Sequence, residues 1–330
     1  MEKRPKVSIL IPLHNAARFL AQTLESCLHQ TYDNIEIIVV DDGSTDSSLQ
    51  VAREYEKAYA AIAVYTQKNR GAPAARNMAF RMSTGDFVQY LDADDLLHPD
   101  KIRSQVAALR RVNRPAAAFG PWVSFQHDAS DARFKTSSVN RSYEDPGTFL
   151  IELWGGTESV PTVFWLLPRA LIEKADPWDE TLLKNQDGEF FARVLLNAER
   201  VIFVEESIAY YRKGHDGTIT RRRSREAEIS ILRSYDTYCR LMEKRLHERE
   251  VRRALALVYS DYIFRLYPDH PDLIRRAEQK IKALGFKGPF KKERRVRHVL
   301  SSLIGVYRVL RLRRSLKKIT RFLGPLLPRT

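Results

Sequence analysis

The feature that most constrains this chain is a pattern repeated through its first hundred residues: a short apolar run, an abrupt polar or proline stop, then an amphipathic stretch of helical period. Val7-Ser8-Ile9-Leu10-Ile11 is a compact apolar run stopped by Pro12, as a buried strand is. After Asn15, the residues Phe19, Leu20, Leu24, Cys27 and Leu28 recur at three- and four-residue steps, the period of a helix with one buried face. Ile35-Glu36-Ile37-Ile38-Val39-Val40 reads as a second strand and ends in Asp41-Asp42-Gly43. A helix over 47–59, a strand around Ala63-Val64-Tyr65 and a helix over 72–82 follow. Strands joined by helices of that length pair in parallel, so the first hundred residues predict an α/β layer with a mostly parallel sheet.

The next strand carries the chemistry. Gly85 leads into Phe87-Val88-Gln89-Tyr90-Leu91, and Asp92, Asp94 and Asp95 follow with no basic residue between them. Like charges at the end of a buried strand repel and raise one another's pKa unless a cation is present. Mg²⁺ meets that need, because it binds a few carboxylate oxygens together with the phosphates of a substrate. The same triplet also reads as a solvated acidic turn that caps the following helix. In an open parallel sheet, Pro12 to Asn15, Asp41-Asp42 and Asp92 to Asp95 come together at the carboxyl ends of the strands, where ligands of such sheets bind. Neither Gly-x-Gly-x-x-Gly nor Gly-Lys-Ser/Thr occurs, which removes the usual dinucleotide and P-loop signatures.

Four segments follow in order: Val7-Ser8-Ile9-Leu10-Ile11-Pro12-x-x-Asn15, Val39-Val40-Asp41-Asp42-Gly43-Ser44-Thr45-Asp46, Asn69-x-Gly71-x-x-x-Ala75-Arg76-Asn77 and Tyr90-Leu91-Asp92-Ala93-Asp94-Asp95. Together they resemble the family 2 glycosyltransferases of GT-A fold, over residues 5–220. The resemblance implies a Rossmann-like, mostly parallel central sheet flanked by helices. It also implies a nucleotide-sugar donor, a divalent metal (Mn²⁺ or Mg²⁺) and transfer with inversion at the anomeric carbon. On the matching positions, Asp94 holds the metal with Asp92 or Asp95, and Asp42 contacts the nucleotide base in a pocket shaped by Pro12 and Asn15. Arg76 and Asp92 join the donor site. A carboxylate at Asp42 accepts from uracil N3–H, which favours a UDP-sugar. The later segment Asn185-Gln186-Asp187-Gly188-Glu189 resembles the place where the family's acidic pair supplies the base, with Gln186 standing where the first acid is usual. Asp187 is therefore the expected catalytic base and Glu189 its substitute, although Asp187 is equally suited to capping the helix that follows. Tyr211-Arg212-x-x-His215 resembles the family's closing motif, with His215 beside the metal and diphosphate.

Length and charge fix the rest. The 330 residues divide into a catalytic domain over 1–222 and a helical extension over 223–330, with Pro268 and Pro271 breaking its periodicity. Cys27 and Cys239 lie far apart without metal-ligand spacing and read as reduced thiols. The net charge of +14 is concentrated in 286–330, where fourteen Lys or Arg face a single acid, Glu293. In that tail Val299, Leu300, Leu303, Ile304, Tyr307 and Leu310 form an apolar stripe opposite Arg308, Arg311, Arg314, Lys318 and Arg321. Such a helix suits an anionic membrane surface. Packing on the preceding helices is the alternative.

The expectation is an enzyme moving a sugar to a hydroxyl of a saccharide or lipid-linked acceptor in cell-surface polysaccharide or glycolipid synthesis. It is expected in the cytoplasm, peripheral on the inner face of the cell membrane, since no leader pattern or ~20-residue apolar run occurs. Two alternatives stand beside it. A sugar-1-phosphate nucleotidyltransferase needs a basic Gly-rich triphosphate loop, and residues 11–20 offer only Arg18. A nucleic-acid-binding protein needs a reading motif, none is present, and no nucleic acid partner is expected.

Overall fold

The computed structural model describes residues 4–214 and 224–289. The chain begins β1 (Val7–Leu13), α1 (Ala17–Leu28), β2 (Ile35–Asp42), α2 (Ser48–Ala58), β3 (Ile62–Gln67), α3 (Ala72–Met82), β4 (Phe87–Tyr90). It continues through β5 (Leu96–Leu97), α4 (Lys101–Arg110), β6 (Ala116–Phe119), β7 (Trp122–Phe125), β8 (Arg133–Phe134) and α5 (Pro146–Gly155). Then come β9 (Trp165–Pro168), α6 (Arg169–Glu173), α7 (Gln186–Leu195), β10 (Arg200–Phe203) and β11 (Ala209–Arg212). Three helices close the described chain: α8 (Arg225–Leu241), α9 (Arg249–Leu266) and α10 (Pro271–Ala283).

A seven-stranded sheet runs in the order β10-β6-β9-β4-β1-β2-β3. Its β3-β2-β1-β4 half is parallel, as the strand–helix alternation requires. The other half is mixed, with β9 antiparallel to both β4 and β6. Ile9, Leu10 and Ile11 are all fully buried, because helices cover both faces of β1, and a strand buried on two sides shows a continuous apolar run. On one side Ile9, Ile11, Ile37 and Val39 pack with Leu20, Leu24 and Cys27 of α1 in a single core.

A smaller sheet, β5-β11-β7-β8, stands apart from the first. The stretch 119–125 reads as one strand in sequence but forms two, in different sheets. Gly120 passes so close to Ser207 that a Cβ there would lie 2.1 Å from the Ser207 carbonyl oxygen. Pro121 has no N–H to give to a ladder, and the chain turns.

Two compact units result. The first extends to Met242 and so includes α8, which lies beyond the boundary drawn at 222 from sequence. The second holds α9 and α10. Pro271 sits in the first turn of α10, where a missing N–H costs nothing.

Candidate active site

Parallel pairing aligns the strand ends. Leu10 pairs with Tyr90 and Ile38, so the residues beyond β1, β2 and β4 emerge along one edge of the sheet. Asn15 takes a left-handed backbone (φ 49°). Its N–H donates to Ser44 Oγ (3.0 Å) and its side-chain carbonyl accepts from Thr45 N (2.8 Å), tying the end of β1 to the Gly43–Asp46 turn. Pro12, half-buried, pairs with Val40. Asp42 is buried, and its carboxylate accepts from Gln67 Nε2 (2.7 Å), Arg70 N (2.8 Å) and Gly71 N (2.8 Å). Three of roughly four acceptor positions are thereby filled by the end of β3 and the loop that leads into α3.

The turn after β4 gathers the three aspartates. Asp92 Oδ1 accepts from Arg76 Nη2 at 2.7 Å. Asp94 and Asp92 are partly open, while Asp95 is buried and accepts from the Arg212 backbone N–H at 2.8 Å. Burial, then the charges of Asp94 and Asp92, push the Asp95 carboxyl well above the ordinary range, with Arg212 opposing. Arg212 braces the turn through the Asp94 carbonyl (2.8 Å) and Gln22 of α1 (2.7 Å).

Asp187 lies in the first turn of α7. It keeps part of its surface accessible although protein atoms surround it. The loss of hydration raises its carboxyl pKa, the Gly188 N–H and Arg76 lower it, and Asp92 raises it again. Glu189 points elsewhere: it is buried in a two-contact pair with Arg193 at 2.9 Å, and Arg193 also donates to the carbonyls of Asp176 and Pro177. Glu189 is therefore committed to a structural pair, and Asp187 is the acid of this segment that remains partly open. Arg76 joins the two poles. It is buried, bonded to Asp92, 3.5 Å from Gln186 Oε1, and its guanidinium lies 4.5 Å from the Trp178 ring centroid. His215 lies outside the described residues.

Several residues that hold this arrangement carried no assigned role in the sequence. Asn77, one residue after Arg76, brackets Trp178 by accepting from its N–H and donating to its carbonyl, both at 2.9 Å. Trp178 in turn stacks on Phe190 of α7 at 3.9 Å and meets Tyr90 of β4 edge-on. From the other side, α8 grips the loop before Asp187. Ser230 Oγ accepts from Leu183 N (2.8 Å), and Asn185 Nδ2 donates to Ser234 Oγ (2.7 Å) and Tyr238 Oη (2.8 Å). Tyr211 is a further member: burial and then the charges of Asp95, Asp92, Asp94 and Asp187 push its phenol far up, so one side chain sits in the field of all four carboxylates. The four-residue spacing of Ser230, Ser234 and Tyr238 was a readable polar stripe. Asn77 closes the Asn69–Asn77 segment singled out in the sequence, but nothing in the sequence tied it to Trp178, a hundred residues on.

Residues 8–173, half of the chain, match the glycosyl transferase family 2 model. The chain belongs to this family. Relatives of the chain include the uncharacterized glycosyltransferase YibD of Escherichia coli, 27% identical over 248 residues that cover 74% of this chain and 72% of that protein. Glycosyltransferase GlyG of Streptococcus pneumoniae is 26% identical over 223 residues, covering 65% of this chain and 73% of the relative. The fold is that of TarS 1-349 of S. aureus in complex with UDP-GlcNAc, with a TM-score of 0.69 at 17% identity over 84% of this chain and 81% of that one. Mannosyltransferase PcManGT from Pyrobaculum calidifontis, in complex with GDP-Man and Mn²⁺, superposes with a TM-score of 0.53 at 16% identity, over 94% of this chain and 83% of that one. The GT-A architecture expected from the motifs is the one found, and glycosyl transfer, not nucleotidyl transfer, is the activity of the family.

Among the described residues no three carboxylates, imidazoles or thiols converge to ligate a metal by themselves. The donor set nonetheless fits a hard cation, because Mg²⁺ and its kin take one or two carboxylates and complete their shell with water and substrate phosphate. Asp94 and Asp92 are partly open, and their charges add to the burial that drives up the Asp95 carboxyl behind them. A cation held at the turn would relieve that repulsion.

Proposed function

We propose that this family 2 enzyme is an inverting, metal-dependent transferase that moves a sugar from a nucleotide donor, a UDP-sugar by preference, to a hydroxyl of a saccharide or lipid-linked acceptor. The observation that carries the reading is Asp187, a carboxylate partly open and crowded by protein, within the field of Arg76, which is bonded to Asp92 and lies 3.5 Å from the neighbouring Gln186. A base works best when its pKa lies near the working pH, and loss of hydration moves Asp187 in that direction. It takes the proton as the acceptor oxygen attacks the anomeric carbon in line, and the nucleoside diphosphate leaves from the opposite face. Arg76 steadies Asp92 beside the segment that carries Asp187, and His215, outside the described residues, is the proposed partner of the diphosphate by its match to the family's closing motif. A Mn²⁺ or Mg²⁺ ion held by Asp94 and Asp92, backed by Asp95, would supply electrostatic stabilisation of the leaving phosphate.

The donor preference draws on Asp42, whose remaining acceptor position suits uracil N3–H, and on TarS having UDP-GlcNAc bound. The cellular setting we infer is cell-surface polysaccharide or glycolipid synthesis at the cytoplasmic face of the membrane. The basic tail 286–330, of which 290–330 lie outside the described residues, is the proposed contact with anionic lipid. Among the described residues no helix is long and apolar enough to cross a membrane. The deciding experiment is donor turnover against a panel of nucleotide sugars with and without Mn²⁺, run on the wild type and Asp94→Ala. Full turnover by the wild type in chelator, with metal verified absent, would falsify the metal-dependent reading.

A further inference from the structure

The four-stranded sheet carries a face that the reaction described above does not use. Strand register places Tyr211 opposite Ser124, and Ser124 opposite Arg133. Alternation then puts Trp122 on the same face as Tyr211, and it brings Lys213 and Lys135, just beyond β11 and β8, to that side. The contacts agree. Lys135 Nζ lies 3.7 Å from the Trp122 ring centroid, and Lys213 Nζ lies 5.6 Å from it. Trp122 meets Tyr211 edge-on at 6.5 Å. The two rings are half-buried, and Lys135, Lys213 and Arg133 are exposed.

Two ammonium groups over one indole repel each other. Loss of hydration lowers the Lys135 pKa, Glu158 opposes this, and the charge of Lys213 lowers it further. Glu158 already accepts from the hydroxyls of Ser137 and Ser138. An anion seated between the lysines relieves this repulsion, and the indole beside it offers the apolar surface on which a sugar ring packs. The face also has a direction. It begins at Tyr211 of β11, in the field of the four site aspartates, and runs across β7 to β8 at the edge of its sheet.

We propose that Lys135, Lys213 and Trp122 form an acceptor subsite for a saccharide chain that carries an anionic group, a phosphate or a carboxylate, next to the sugar being glycosylated. The proposal rests on the reading that Asp187 and the Asp92–Asp95 turn mark the reacting end.

The test uses the full chain and three fluorescent probes of similar length: an oligogalacturonate (carboxylate), a phosphorylated mannopentaose (phosphate) and maltohexaose (neutral). Affinities are read by anisotropy at low and high salt. We expect at least one anionic probe to bind tighter than maltohexaose, and the tighter of the two identifies the anion. Lys135→Gln/Lys213→Gln should weaken that probe about tenfold, as two partly exposed charge contacts would, while Lys135→Arg/Lys213→Arg retains it and high salt weakens it. Melting temperature reports that each variant is folded. Anionic probes that bind no tighter than maltohexaose, or that bind the double Gln variant as they bind wild type, overturn the subsite. Asp187→Asn separates this from the base assignment. It should bind the probes like wild type yet fail to transfer, and normal transfer by it overturns the base while leaving the lysine subsite standing.

Discussion

Asp187 and Glu189 sit two residues apart on one helix and meet opposite fates. Glu189 turns into the protein and pairs with Arg193, whereas Asp187 stays partly open near Arg76. Asp187→Asn should therefore lower transfer by ~10²–10⁴, the usual contribution of a general base, while a nucleotide sugar still raises its melting temperature. Glu189→Gln should instead lose on the order of 3 kcal/mol of stability, because Arg193 is left without its acid, with turnover persisting in the folded fraction. Denaturant melts and initial rates on the two variants separate the roles. The raised pKa of Asp187 sets the pH dependence. The reactive form is the carboxylate, so kcat/KM should fall on the acid side through a pKa above the ordinary carboxylate range. The same shift has a stability consequence of definite sign. A carboxyl whose folded pKa lies above its unfolded one contributes stability at low pH that is lost as pH rises through the folded pKa. Asp187→Asn should then be more stable than wild type at neutral pH and equal to it in acid, measured without metal. A wild type as stable as Asp187→Asn at neutral pH would contradict the burial argument.

The loop 178–185 and the first turn of α7 take their position from the helices on either side. Asn77 of α3 holds both backbone groups of Trp178. Removing its amide leaves buried backbone groups unpaired at about 1–3 kcal/mol each. Asn77→Ala should accordingly lower stability by a few kcal/mol and kcat more than KM. Loss of stability with kcat intact would reduce Asn77 to a packing role. On the α8 side, Gly188 tolerates no side chain, since a Cβ would lie 2.4 Å from Tyr238 Oη and 2.5 Å from Asn185 Oδ1. Gly188→Ala should be clearly destabilised in urea melts, and adding Tyr238→Phe should restore part of the loss by removing the hydroxyl. If the double variant is no better than Gly188→Ala, the contact with α8 does not set the loop.

At the scale of the whole molecule, charge and chemistry are separated along the chain. Residues 1–285 are nearly neutral, and almost all of the +14 belongs to the tail. Each Lys or Arg near an anionic surface contributes roughly 1 kcal/mol, so even part of that tail outweighs the near-zero charge of the remainder. Liposome sedimentation should show binding that rises with anionic lipid, weakens in high salt and disappears when the chain is truncated after Gly285. Equal binding by the full and truncated proteins would remove the membrane assignment.

Local order was legible in the sequence. The β1–α1–β2–α2–β3–α3–β4 succession and its acidic strand ends follow from burial period, because a strand or helix buries residues at intervals set by its own geometry. The candidate acids at 92, 94 and 95 were legible for the same reason, as they follow the end of a strand, whereas Asp187 was singled out by the resemblance of its segment to the family's acidic pair. What the sequence left open was decided by which side chains and strands met once the chain had folded, most of them far apart along it. Asp187 was separated from Glu189 by where Arg193 and Arg76 reach. The run 119–125 broke into two sheets because Ser207 crosses Gly120. Trp122, Lys135 and Lys213 became one face only when β7, β8 and β11 paired. Register between distant strands is a property of the assembled sheet, and no spacing along the chain encodes it.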